Sequence, residues 1–229
     1  MEYNLSMEKV TFTTQDGVKL VGNYFSPAAP ATTGVLCLHM MPETKESWTK
    51  LAELLAAQGR QVLAIDERGH GESVWRDDQK LNYQQFSDAE QQAKRLDVEA
   101  ALQWMQSQGV QLSQCLVIGA SIGANLALDV LVRFSQLPAA VLLSPGQDYR
   151  GVQTDTAITQ LKPDQHVLLV ASRDDEYSFE SVERLDQLSK TPHETWRLER
   201  AGHGTHMFAA EPDLMQKVVR WITQATASR

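Results

Sequence analysis

Gly119-Ala120-Ser121-Ile122-Gly123 lies between two contrasting runs. Before it stands Cys115-Leu116-Val117-Ile118, short and apolar; after it comes Ala124-Asn125-Leu126-Ala127-Leu128-Asp129-Val130-Leu131, rich in helix formers. Strand, sharp turn and helix is the context in which a G-x-S-x-G pattern forms a nucleophile elbow. Such a turn forces its central residue into a strained backbone conformation, and small residues at 119 and 123 let strand and helix approach closely. The Ser121 hydroxyl is then expected at the strand end, with the first free N–H groups of the helix aimed at the same point.

The remainder of the 229 residues fits one domain, 1–229, long enough to bury a large core without disulfides or metals. Hydrophobic content of 42% and charged content of 22% are ordinary for a globular chain. A net charge of −8 argues against nucleic acid or an anionic membrane as partner, since both favour clustered Lys and Arg. Cys37 and Cys115 fall inside apolar strand-like runs and read as buried thiols. The opening Met1-Glu2-Tyr3-Asn4-Leu5-Ser6 has no basic segment followed by an apolar one, and no apolar stretch approaches the ~20 residues of a membrane helix. The expectation is a cytoplasmic location.

Working outward, Val10–Thr14 and Lys19–Phe25 read as strands flanking an Asp16-Gly17 hairpin turn. Strands then alternate with helices. Val35–Leu38, Val62–Ile65, Cys115–Ile118, Ala140–Leu143, His166–Ala171 and Thr195–Leu198 are strand-like. Helical spacing appears over 46–58, 86–108, 124–131, 179–188 and 212–226, with Ala93, Leu96, Ala100, Ala101, Trp104 and Met105 forming the apolar stripe of the second. The polar segment Asp66–Asn82 suggests no element. Uniformly apolar strands between amphipathic helices imply an α/β fold with a mostly parallel sheet covered on both faces.

A serine nucleophile needs a base and a group that orients the base. In open α/β sheets such groups collect at the carboxyl ends of strands. Ser172-Arg173-Asp174-Asp175-Glu176 and Ala201-Gly202-His203-Gly204-Thr205-His206 both follow predicted strands, in the chain order Ser, Asp, His. A metal pair formed by His203 and His206 lacks a third ligand nearby, so no metal or cofactor is expected.

Over essentially its full length the chain resembles the α/β hydrolases. The motifs carrying the resemblance are Leu38-His39, Asp66-Glu67-Arg68-Gly69-His70-Gly71-Glu72-Ser73, the elbow, the acidic loop at 174–176 and Ala201-Gly202-His203-Gly204. The resemblance implies eight strands in spatial order 1-2-4-3-5-6-7-8, the second antiparallel. It implies Ser121 as nucleophile and His203, rather than His206, as base. For the acid it favours Asp175 over Asp174, because Ser172 stands where relatives carry a Gly three residues before it; Asp148, after the preceding strand, is a remote alternative. Of the two N–H groups of an oxyanion hole, Ile122 supplies one as the residue after the nucleophile, and the resemblance gives the other to Met41. Relatives commonly have Gly where this chain has Met40. The 66–73 loop reads as structural, a brace for the oxyanion loop.

A lid in this fold usually enters after the sixth strand, where Ser144–Gln165 offers only 22 residues. An open site without a sizeable cap is expected, its substrate-binding walls formed by Met40, Tyr149, Tyr177, Met207 and Phe208 with little fixed charge. The reading is a serine hydrolase of small-to-medium acyl esters, a small-molecule substrate. A thioesterase, an amide or peptide hydrolase, and a catalytically silent binding protein on the same fold are the alternatives. Oligomeric state is not readable.

Overall fold

A computed structural model describes residues 6–227; Met1–Leu5, read above for a leader segment, lie outside them. Eight strands carry the architecture: β1 (Ser6–Thr13), β2 (Val18–Ser26), β3 (Gly34–Leu38), β4 (Gln61–Ile65), β5 (Cys115–Ala120), β6 (Ala139–Leu143), β7 (His166–Ser172) and β8 (His193–Leu198). They lie in the order β1-β2-β4-β3-β5-β6-β7-β8, as expected. β2 runs antiparallel to both β1 and β4, and every pairing from β4 to β8 is parallel. Gly17, at φ +84°, closes the β1–β2 turn.

Side-chain alternation sorts the sheet's two faces. Leu36, Leu38, Val117, Leu142 and Leu169 point to one face, where they pack with Val98, Met105, Leu126, Leu131 and Val182. Val35, Cys37, Ile118, Val141 and Val170 point to the other, against Trp48, Leu51, Leu55, Val218 and Ile222. The covering helices are α1 (Thr49–Ala57) and α5 (Leu214–Ala227) on the second face, and α2 (Lys94–Ser107), α3 (Ile122–Arg133) and α4 (Glu176–Leu188) on the first. Strands buried on both faces have no polar side to show, which is why they read as continuous apolar runs. Both cysteines are buried and free. Among the described residues no helix is long and apolar enough to cross a membrane.

Two local expectations need correction. The polar 66–82 segment holds a small hairpin, Trp75–Arg76 paired with Gln79–Lys80, which adds to the edge of the sheet beside β2. Two-residue strands carry no apolar alternation, so the sequence gives no sign of them. The 86–108 stretch is broken: Asp88–Gln92 forms a short helix behind a Ser87/Glu90 capping box, and α2 begins at Lys94.

The face α2 turns inward also differs from the apolar stripe. Ala93 and Leu96 are half-buried, while Lys94 and Asp97 are wholly buried beside Val98, Ala101 and Met105. Asp97 accepts from the Arg68 backbone N–H at 2.8 Å and from its Nε at 2.8 Å; Nη1 and Nη2 of the same guanidinium reach Asp16 at 2.7 and 2.9 Å. Lys94 pairs with Glu67 at 3.0 Å. These pairs tie α2 and the β1–β2 turn to the 66–73 loop.

Removing one partner of a buried ion pair strands the other charge, which typically costs about 3–5 kcal/mol. Arg68→Met, which leaves the buried Asp97 carboxylate without its partner, is therefore expected to lower unfolding free energy by that order in urea titrations, whereas the double variant Arg68→Met/Asp97→Leu, which removes both charges, should lose less. Equal losses in the two proteins would show that the cost is not a stranded charge.

Candidate active site

β5 delivers Ser121 into a conformation that few side chains adopt, φ +55° and ψ −123°. Two glycines make the turn possible. A Cβ on Gly119 would lie 2.0 Å from the Gly123 carbonyl oxygen, and one on Gly123 would lie 2.5 Å from the Leu38 oxygen. The Ser121 N–H donates to the Leu143 carbonyl at 2.9 Å, and the Ser121 carbonyl accepts from Ala124 N–H at 2.9 Å and Asn125 N–H at 3.2 Å. Ser121 keeps 8% of its surface exposed at the head of α3. Among the described residues no acceptor is found for the N–H of Ile122, the first helical residue.

The β3 end supplies Met41. His39 Nε2 accepts the Glu67 N–H at 3.0 Å, so its Nδ1 carries the proton and donates to the Met40 carbonyl at 3.0 Å. In a trans peptide the C=O and the following N–H point in opposite directions. Holding the Met40 oxygen inward thus turns the Met41 N–H away from His39, and it too has no acceptor among the described residues.

The 66–73 loop fixes this arrangement from beneath. Asp66 accepts from Lys45 N–H (2.9 Å), Lys45 Nζ (2.8 Å) and Glu72 N–H (2.8 Å). Gly71 sits so close that a Cβ would meet the Asp66 carboxylate at 2.2 Å. His70 stacks on Tyr83 with ring centroids 3.8 Å apart and tilts against His39 at 4.8 Å. Burial, with Lys94 and His39 nearby, pushes the His70 imidazole down to about 2, so it is neutral at ordinary pH. Nothing in this loop reaches Ser121; its groups brace β3's end.

β7 and β8 bring an acid and a base together. His203 Nδ1 lies 2.6 Å from Asp175 Oδ2. Burial raises the Asp175 carboxyl, but hydrogen bonds with His203, Ser178 and Ser144 outweigh it and hold the group below the usual carboxylate value. Among the described residues His203 Nε2 has no partner, which leaves that nitrogen for a proton from elsewhere. Asp174 is occupied differently: it accepts from Ser172 Oγ at 2.5 Å and Gly202 N–H at 3.2 Å, joining the two loops. Asp148 accepts from Gly151 N–H and Gln153 Nε2 within its own hairpin, and His206 lies at the surface 3.4 Å from Glu43. The base loop packs directly on the elbow: a Cβ on Gly204 would fall 3.3 Å from Ala120 Cβ and 2.4 Å from Met40 Sδ, while Gly204 N–H donates to Ser144 Oγ at 2.9 Å.

The expected substrate walls divide. Tyr149 stands at the site: its hydroxyl is 3.2 Å from Ser178 Oγ, and burial lifts it above the usual phenol value against hydrogen bonds with Ser178 and Ser121. Tyr177 packs edge-on to Tyr149 at 5.6 Å and is largely exposed. Phe208 is half-buried, edge-on to Trp48. Met40 and Met207, at 2% and 0% exposure, belong to the core instead, Met40 filling the space under Gly204, and present almost no surface. The sequence reading missed Ser144 and Ser178, which support the acid, and the polar side chains Gln84, Gln91 and Arg150 that line a groove with Met41. Isolated serines and amides carry no pattern to find them by.

The family described as serine aminopeptidase, S33 (Hydrolase_4) matches residues 29–184, more than half of the chain. The chain belongs to this α/β-hydrolase family. The matched span holds the elbow, the loop after β3 and the acidic loop; His203 lies beyond it. A Bacillus subtilis (strain 168) protein assigned as a 2-succinyl-6-hydroxy-2,4-cyclohexadiene-1-carboxylate synthase is 29% identical over 137 residues, 60% of this hydrolase but only 44% of that relative. The alignment thus spans less than half of the relative's length. Solved structures share the fold: an esterase of Pyrococcus furiosus (TM-score 0.75, 19% identity, 97% of this chain and 92% of that one), a dienelactone hydrolase of Anabaena variabilis (0.72, 19%, 96% and 96%) and an acetyl xylan esterase of Paenibacillus sp. R4 (0.77, 16%, 98% and 89%).

The neutral His70 has a consequence for stability. Its folded value lies below the unfolded imidazole value, ~6.5, so the unfolded chain binds a proton that the native hydrolase refuses. The sign follows: stability is unaffected above about pH 6.5 and falls as pH drops from there toward 2. The His70→Gln variant should show a shallower decline of unfolding free energy between pH 6.5 and 4, by up to ~1.4 kcal/mol per pH unit. Parallel pH profiles for the two proteins would contradict it.

Proposed function

We propose that this hydrolase cleaves carboxylic esters of small-to-medium acyl groups, with Ser121 as nucleophile, His203 as general base and Asp175 as the group that orients it. The observation that carries this reading is the contact between His203 Nδ1 and Asp175 Oδ2, on loops packed against the strained turn that presents Ser121. Ser121 Oγ attacks the ester carbonyl carbon while its proton passes to His203 Nε2. The imidazolium then protonates the leaving alcohol, and water repeats the cycle to release the acid. Ile122 and Met41 N–H are the donors assigned to the developing oxyanion. Asp175 keeps the proton on Nδ1 and faces the imidazolium with a charge already stabilised by Ser144 and Ser178.

The acyl-size limit rests on the segment after β6. It contributes only the 148–153 hairpin and the five-residue helix Asp155–Thr159, which cannot enclose a long chain. Each buried CH₂ is worth ~0.8 kcal/mol, a gain that stops where the chain emerges into water. The fold of the esterases named above agrees with an ester-cleaving role, and the family's own description makes an amide substrate the natural comparison in the same assays.

Ser121→Ala is expected to remove ester turnover, lowering kcat by ~10⁴-fold or more in a correctly folded protein. Asp175→Asn should be far more damaging than Asp174→Asn, because only Asp175 sets the imidazole tautomer. Wild-type turnover in Ser121→Ala, or the reverse order of the aspartates, would overturn the assignment.

For unsubstituted 4-nitrophenyl esters from acetate to palmitate, kcat/KM should rise over the first few carbons and flatten or fall by about C8. A steady rise to palmitate would mean that a long chain is buried throughout.

A further inference from the structure

Strand order places the acid and base on one flank of Ser121, on the loops after β7 and β8; the opposite flank belongs to β3 and β4. A groove of about 440 Å³ opens there. It runs from Met41 and Pro42 to Gln91 and Arg150, with the rings of Tyr83 and Phe86 along it. This wall is built on the 66–73 loop: a Cβ on Gly69 would meet Tyr83 N at 2.7 Å and Phe86 Cζ at 2.8 Å, and Tyr83 stacks on His70.

Two polar groups in the groove lack an adequate partner. Gln91 is 2% exposed, and its Nε2 donates to the Tyr83 carbonyl at 3.2 Å, which fixes the amide's orientation. Its Oε1, buried, accepts from nothing among the described residues. Native interiors seldom leave such an acceptor unpaired, so it marks a place for a donor. Arg150 sits at φ +57° at the tip of the hairpin that pairs Asp148–Tyr149 with Val152–Gln153. Its carbonyl accepts from Gln92 Nε2, Asp148 Oδ1 accepts from Gly151 N–H at 2.6 Å, and the Tyr177 hydroxyl both accepts from and donates to the Asp148 backbone at 3.0 Å. Among the described residues the Arg150 guanidinium meets only Asp88, at 3.9 Å and with both side chains more than half exposed, and Arg150 lines the groove.

We propose that this groove is the acyl subsite and that it selects acyl groups bearing a hydroxyl, which donates to Gln91 Oε1, and a carboxylate at the far end, which pairs with Arg150. The inference rests on the Ser121 reading above. His203 must protonate the leaving alcohol, so the alcohol lies on the histidine's flank. The acyl part, its carbonyl oxygen at the Ile122 and Met41 N–H groups, extends the other way, where the groove begins at Met41. A guanidinium matches a carboxylate in a two-bond fork, and the unsatisfied amide oxygen discriminates against an acyl chain that brings no donor.

The test uses 4-nitrophenyl esters of C4 to C8 acids in three matched forms: unsubstituted, ω-carboxylate, and ω-carboxylate with a 3-hydroxyl. The ω-carboxylate should raise kcat/KM at least tenfold over the unsubstituted ester at one or more lengths, mostly through KM, and the hydroxyl should add severalfold. Arg150→Gln should lower kcat/KM at least tenfold more for the charged ester than for the neutral one, and Gln91→Met should erase the hydroxyl's gain. In parallel, calorimetry on the Ser121→Ala protein reads binding of 3-hydroxyadipate, which Arg150→Gln should weaken about tenfold. Binding without turnover of any ester would overturn the Ser121 reading and leave the groove standing. Ester turnover with no preference for charged acyl groups, together with no binding of 3-hydroxyadipate, would overturn the acyl subsite.

Discussion

Three backbone segments meet at Gly119 and Gly123, and the site depends on that meeting. β5, the first turn of α3 and the end of β3 come so close that a single methyl group at either glycine would overlap backbone atoms. The strain at Ser121 persists because the neighbouring hydrogen bonds over-determine it: Leu143 holds its N–H, and Ala124 and Asn125 hold its carbonyl. That convergence brings the head of α3 against the Leu38 and His39 carbonyls, at the strand end from which the Met40–Met41 peptide follows. Gly204 completes it from above, packing on Ala120 and Met40.

The polar network beneath gives the convergence its rigidity. Lys45, Asp66, Glu67, Arg68, Lys94 and Asp97 are all buried, an unusual density of charge for a protein interior. Buried ion pairs are weak evidence for stability, since desolvation can cancel their attraction. Their value here is positional. Each pair ties a different element (the β1–β2 turn, the segment before α1, and α2) to one loop, and that loop holds His39 through the Glu67 N–H. His39 in turn fixes the Met40–Met41 peptide. The buried pairs thus connect to the Met40–Met41 peptide through one chain of hydrogen bonds, from the Glu67 N–H through His39 to the Met40 carbonyl.

How far the sequence was legible follows from the range of the forces involved. Apolar runs announced the strands from β3 to β7, because a strand buried on both faces has no alternative composition, whereas β1 and β8 are exposed or half-buried and carry polar residues throughout. The elbow was legible because strand, glycines and helix are adjacent in the chain. The contact of His203 with Asp175 spans 28 residues yet was foreseen, since family motifs mark both loops. Lys94 and Asp97 were not, because a charged residue on a helix looks the same whether it faces water or a buried partner. Met40 and Met207 were assigned to the substrate wall for the converse reason: nearness to a site in sequence does not distinguish lining from filling. Gln91 and Arg150 come from segments more than 40 residues from Met41, and only the folded chain places them along one groove.

The central claim is that Ser121 is a nucleophile activated by the folded site. A fluorophosphonate probe examines it directly, because it phosphonylates an activated serine without requiring the physiological substrate. Intact mass and peptide mapping after labelling should show one adduct per chain, at Ser121, and none after unfolding. A folded protein that takes no adduct, or takes it at another residue, would contradict the account.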